Sequence, residues 1–276
     1  MHILICSDGS PAAEQSADLI TRLNYLPEVE ITILGVSESD GDQVQLSASF
    51  ERIATILDGE QFFVQQKIRY GSPAEQILKE VEESSFDLVT VGTRGHIRGF
   101  PGLKFGSTAQ KLARLLTTPL LVARHVPPKV DKVLICTGAE IPSLETLSVG
   151  GKLIARVPGE IVVLHVMSQV AMRLDSPADD LVDTADSAIQ RGTREGQHLM
   201  QANKLLHQAG VVGDIRSLLR HGLVVDEVLE EIEEGRYNFL IIGGHYHHGR
   251  SHWTELLLKD LAGQLLQKAP CSVLII

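Results

Sequence analysis

The chain repeats itself, and no other feature narrows its fold as far. HILICSD at residues 2–8 resembles KVLIC at 132–136, and ITILGVSE from Ile31 resembles IVVLHVMS from Ile161, both at an offset of 130 residues. Further along, RYGSPAEQILKEVEE from Arg69 matches RHGLVVDEVLEEIEE from Arg220, and DLVTVG from Asp87 matches NFLIIG from Asn238. Pro119, before LLVAR, matches Pro270, before CSVLII, and these three pairs share an offset of 151. One offset on each side of a single jump reads as one unit duplicated. The second copy then carries 151 − 130 = 21 extra residues between Gln169 and Arg216.

Each copy alternates strand and helix signals. Residues 2–6 are a short apolar run, suited to a strand buried on both faces. Ser10-Pro11 fits an N-cap followed by proline at the first helical position, and Leu19, Ile20 and Leu23 repeat at helical spacing. Residues 30–36 read as a strand, 50–58 as a helix striped by Phe50, Ile53, Ala54 and Leu57, and 62–69 as an alternating strand. A helix follows from Ser72-Pro73, then a strand at 87–91, a helix at 106–116 and a last strand at 119–123. Such alternation predicts an α/β fold: two tandem, doubly wound parallel-sheet domains. The boundaries fall at 1–126 and 130–276, with PPKVDK at 127–132 as linker.

Composition bounds the function. A formal charge of −10 opposes phosphate backbones and excludes nucleic acid as a major partner. No apolar run is long enough to span a bilayer, and MHILICSDGS lacks the pattern of a secretory leader, so a cytoplasmic location is expected. The three cysteines, Cys6, Cys136 and Cys271, are widely spaced within apolar runs and read as small buried residues rather than a disulfide framework.

The stretch VTVGTRGHIRGFPGLKFGSTAQKL carries the chemistry. A buried strand ends at Val91, a loop holds Gly92, Gly95, Gly99, Gly102 and Gly106, and a helix begins near Ser107. Glycines let backbone approach a ligand closely, and free N–H groups at a helix start attract phosphate. Ser107 and Thr108 add hydroxyls, and Arg94 and Arg98 add positive charge. The loop follows the carboxyl end of a strand, where doubly wound sheets bind ligands. Read alone, it is equally a flexible connection.

The loop resembles the signature of the universal stress protein family: Gly, two residues, Gly, nine residues, then Gly-Ser or Gly-Thr. Here Gly92, Gly95 and Gly106-Ser107 match, with ten residues instead of nine before Gly106. The resemblance implies a fold akin to adenine-nucleotide α-hydrolases and ATP as ligand. It implies that Asp8, after the first strand, contacts the adenosine, and that Val36 lines the adenine slot. Asp8-Gly9 reads otherwise as a turn. Val91, Gly92, Arg94, Gly95, Gly106, Ser107 and Thr108 complete the expected nucleotide site, with Mg²⁺ accompanying the triphosphate. No residue stands out to activate water, so ATP is expected as a signal or structural ligand, with at most weak hydrolysis. An ATP-hydrolysing enzyme and a nucleotide-independent interaction protein are the rival readings.

The second half lacks these groups. Asp8 corresponds to Gly138 or Thr137, while Gly95, Gly106 and Ser107 align with Tyr246, Leu257 and Leu258, and only Gly92 keeps its glycine, Gly243. A degenerate supporting domain is expected. His245, His247, His248 and His252 form a cluster whose spacing does not match a closed zinc site, and His221 matches Tyr70. The resemblance further implies pairing of PLLVAR with PCSVLII within the chain, as a pseudo-dimer, with homodimerisation left open. The extra residues are expected to lengthen one helix and its leading loop, with Leu181, Val182, Ala185 and Ile189 on one face.

Overall fold

The computed structural model describes residues 1–23, 29–39, 41–58, 62–93, 107–138, 141–167, 184–244 and 261–276. It contains two compact units. The first comprises Met1–Lys129 and Gly244–Ile276, and the second Val130–Gly243.

In the first unit the strands are β1 (His2–Ser7), β2 (Val29–Ser37), β3 (Phe62–Tyr70), β4 (Leu88–Gly92) and β5 (Leu120–Ala123). They lie in the order β3-β2-β1-β4-β5 and all run parallel. The helices are α1 (Ala12–Arg22), α2 (Gln43–Leu57), α3 (Pro73–Glu83) and α4 (Ser107–Leu115). On one face α1 packs with α2, and on the other α3 packs with α4. Covered on both sides, Ile3, Leu4, Ile5, Ile31, Ile33 and Leu34 are fully buried. This is why the inner strands read as unbroken apolar runs.

The second unit holds β6 (Lys132–Thr137), α5 (Ile141–Leu153), β7 (Glu160–Met167), α6 (Ala185–Arg191), α7 (Arg194–Gln208), β8 (Asp214–His221), α8 (Val224–Gly235) and β9 (Phe239–Ile242). Its parallel order, β9-β6-β7-β8, repeats β4-β1-β2-β3. The registers repeat too. His2 pairs with Glu30 and Lys132 with Glu160; Ile3 pairs with Leu88 and Val133 with Phe239; Glu30 pairs with Phe63 and Glu160 with Asp214. Every pair is shifted by the two offsets read from the sequence, 130 and 151.

A final strand, β10 (Ser272–Ile275), runs antiparallel to β5 in the first unit, with Val273 beside Val122. Arg124 fastens it. Its backbone N–H donates to Ser272 Oγ at 2.9 Å, and that hydroxyl donates back to the Arg124 carbonyl. The buried guanidinium donates to the carbonyls of Leu266, at 2.9 Å, and Ala269. A cation thus meets the carboxyl end of the helical residues 261–268, where the helix dipole is negative.

Three local expectations are corrected. Helix α1 starts at Ala12, after Pro11 in helical conformation, and Ser10 Oγ makes no capping bond. Asp8 Oδ1 instead accepts the Ser10 N–H at 2.9 Å, which draws Ser10 into the preceding turn. Helix α2 begins seven residues earlier than expected, because Leu46 and Ser49 extend its buried stripe. The extra residues do not lengthen one helix. They supply α6, which ends at Gly192 in left-handed conformation (φ 65°), before Thr193 caps a separate α7. Ala185 is buried on α6, while Leu181 and Val182 lie outside the described residues.

Candidate functional site

The order of strands reverses between β1 and β4 of the first unit. Chain leaving β1 turns toward β2 and β3, and chain leaving β4 turns toward β5. Doubly wound sheets open a crevice at the carboxyl ends of two such strands. Register sets the heights of its walls. Cys6 sits beside both Leu34 and Val91. Asp8 follows two residues beyond Cys6, and Val36 two beyond Leu34.

Asp8 is exposed at this edge, and its Oδ1 closes the turn into α1. Gly9 takes φ 81°, and its N–H donates to Ser7 Oγ at 3.0 Å. Ser7 Oγ in turn bonds Ser49 Oγ of α2 at 2.9 Å. Asp8 is therefore held by a turn tied to two elements. Val36 and Val91 are buried near the carboxyl ends of β2 and β4.

Gly92 has a specific backbone duty. A Cβ there would lie 1.6 Å from the Ala12 carbonyl oxygen, so only glycine lets α1 close on the end of β4. Thr93, immediately beyond, donates its N–H to the Ala123 carbonyl at 3.0 Å. Ser107 and Thr108 open α4, at the positive end of the helix dipole. Arg94, Arg98, Gly95 and Gly106 lie outside the described residues.

The rim at β2 and β3 contains residues that the sequence did not single out. Asp42 Oδ2 accepts the N–H groups of Glu38 and Ser39 at 3.0 and 2.8 Å. The Ser39 bonds hold its carboxyl below the ordinary range. Gln43 Nε2 donates to the Tyr70 hydroxyl at 2.8 Å, linking α2 to β3. Arg52 donates to Glu14 and, at 3.4 Å, to the Gly9 carbonyl. Asp42 directly precedes α2 and carries the ordinary signal of a turn residue. The Gln43–Tyr70 contact has no signal in one dimension.

The second unit differs at the same level. Thr137 pairs with His165 as Ser7 pairs with Gly35, which puts Gly138 in the place of Asp8. His165 stands where Gly35 makes room for Phe50, whose ring would be 2.8 Å from an added Cβ. His165 Nδ1 donates to the Thr137 carbonyl at 2.9 Å, and His198 Nε2 hydrogen-bonds Thr137 Oγ1 at 2.9 Å. Both imidazoles are buried. His221 pairs with Met167 as Tyr70 pairs with Ser37. Tyr246, Leu257, Leu258 and the cluster His245, His247, His248 and His252 lie outside the described residues. Among the described residues, no group of three or more His, Cys, Asp or Glu is placed to hold a metal ion. None of their helices is long and apolar enough to cross a membrane.

A tandem α/β protein with a parallel sheet whose strand order reverses between β1 and β4 is the class these features define. The pattern of the universal stress protein family matches residues 1–124 and again 129–276, and the chain belongs to that family. Universal stress protein Slr1230 of Synechocystis is 21% identical over 99% of this chain and 98% of its own length. Universal stress protein YxiE of Bacillus subtilis is 23% identical over 44% of this chain and 97% of its own. A universal stress protein structure from Archaeoglobus fulgidus superposes over 99% of this chain and 97% of its own, with a TM-score of 0.69 at 17% identity.

Proposed function

We propose that the first unit binds an adenine nucleotide, ATP with Mg²⁺, as a signal or structural ligand of a stress protein. The supporting observation is placement. Asp8 and the first turn of α4 follow the two strands at which the sheet reverses, with Val36 at the height of Asp8. An exposed carboxylate suits ribose hydroxyls, the buried valine suits a base, and a helix start suits phosphate. Arg94, Gly95 and Gly106 would complete the phosphate cradle. ATP supplies the triphosphate that Mg²⁺ accompanies. The chain's own groups bind and orient it. The second unit, with Gly138 for Asp8 and His165 for Gly35, supports the first without a nucleotide of its own.

Calorimetric titration with Mg-ATP tests this, beside Gly106→Leu, which copies Leu257, and Asp8→Ala. Binding near one ATP per chain is expected, lost in Gly106→Leu and weakened about tenfold or more in Asp8→Ala. No binding by the parent would overturn the reading in favour of a nucleotide-independent interaction protein. Steady turnover by pure protein, lowered by Ser107→Ala, would instead make it an ATPase.

A further inference from the structure

The edge strand β3 departs from the alternation its sequence suggests. Of FFVQQKIRY, the six residues from Phe63 to Ile68 are all exposed. Phe63 is 68% and Tyr70 58% exposed, and Val64 and Ile68 are also open. Among the described residues β3 pairs only with β2. Alternate residues of its other edge therefore present unpaired N–H and C=O groups, the usual template for another strand.

Among the described residues, the charged side chains of this strand are engaged elsewhere. Lys67 and Arg69 could guard the edge, but both turn back onto α3: Lys67 Nζ donates to Glu80 at 2.9 Å and Arg69 to Glu80 and Glu83. The equivalent strand of the second unit is handled differently. There the inserted α6 packs on β8, and only Asp214 and Arg216 are exposed. The same fold element is covered in one unit and left open, with apolar side chains, in the other.

We infer that β3 pairs antiparallel with β3 of a second copy of this chain, about a two-fold axis at Gln66. The strand is complementary to itself in that register. Phe62 meets Tyr70, Val64 meets Ile68, and Gln66 meets Gln66 on the α2 side. Phe63 meets Arg69 and Gln65 meets Lys67 on the α3 side. Apolar residues face apolar ones, the arginine faces an aromatic ring, and no two like charges oppose each other. All nine residues take part. A single strand pair is small beside the ~800 Å² per partner of a stable complex, so the dimer is weak and concentration-dependent.

Sedimentation equilibrium of the full chain over a concentration series tests the assignment. The parent should dimerise reversibly. Gln66→Lys sets two lysines against each other at the axis, and Gln66→Glu sets two glutamates. Each alone should weaken the dimer at least about tenfold. An equal mixture should restore it as a heterodimer. Gln66 is exposed, so both variants should melt with the parent. A parent that stays monomeric would overturn the inference. So would a dimer indifferent to Gln66→Lys, or two weakened variants that mixing does not restore.

Discussion

Arg69 Nε lies 2.6 Å from Glu80 Oε2, and the pair recurs 151 residues later as Arg220 and Glu231, at 2.8 Å. In both units it ties the edge strand to the helix that follows. Lys67 gives Glu80 a second donor, whereas Glu231 takes its second from the Tyr237 hydroxyl at 3.0 Å. Glu80 and Glu231 are buried, so each anion depends on these partners.

Glu80→Gln should therefore destabilise the chain by about 3 kcal/mol, because Arg69 and Lys67 lose their shared anion. Burial raises the Glu80 pKa, but hydrogen bonds from Lys67 and Arg69 outweigh it and hold the group below its ordinary value. A depressed folded pKa stabilises above the unfolded value of about 4.3, and that gain is lost as pH falls through the folded value. Urea melts between pH 2 and 6 check this: the acid loss of stability should be shallower in Glu80→Gln. An unchanged acid limb would mean that Glu80 does not govern it.

Gly92 and Gly243 hold matching positions with different tolerances. A Cβ on Gly92 would meet the Ala12 backbone at 1.6 Å, while on Gly243 it would meet Thr146 Oγ1, a rotatable group, at 2.8 Å. Gly92→Ala should cost more than about 4 kcal/mol and Gly243→Ala about 1 kcal/mol. Thermal melts of the two single variants decide it, and equal losses would contradict the packing described here.

The sequence carried the succession of strands and helices because buried parallel strands write themselves as apolar runs. The duplication was legible for the same reason: His2–Glu30 and Lys132–Glu160 are one register written twice. What escaped it depends on three dimensions. FFVQQKIRY alternates in composition, yet exposure at a sheet edge cannot be read from alternation alone. The break between α6 and α7 hangs on the left-handed Gly192 and the Thr193 hydroxyl, which accepts the Gly196 N–H at 3.1 Å. Asp8 and Val36 were named from the family resemblance, and each lies two residues beyond the paired Cys6 and Leu34. The Ser7–Ser49 bond that steadies the Asp8 turn spans 42 residues and leaves no pattern in the chain.

The thiols offer an independent check on burial. Burial pushes Cys6 well above the ordinary thiol range, helped by Glu80, and pushes Cys271 up to about 12. Cys136 is half-buried. Alkylation followed by mass spectrometry at pH 8 should label Cys136 first. Cys6 and Cys271 should react only as denaturant unfolds the chain. Rapid labelling of Cys6 in native protein would contradict a closed first unit.

Thr137 joins two buried imidazoles whose centroids lie 5.7 Å apart, and this predicts a second, milder acid sensitivity. Burial, then His165 and Arg194, lower the His198 pKa to about 4. The unfolded chain binds that proton near pH 6.5. The depressed folded value means that stability is full above pH 6.5 and falls as pH drops toward 4, by up to about 3 kcal/mol. This window lies above the carboxylate limb set by Glu80, so the two can be separated. His198→Gln removes the titration and keeps a hydrogen-bonding side chain beside Thr137. Its stability should be nearly flat from pH 6.5 to 4.5, while the parent declines. An NMR titration of the parent should show the His198 ring still neutral at pH 5; a ring that titrates near 6.5 would mean that Thr137 and His165 do not hold it in the interior.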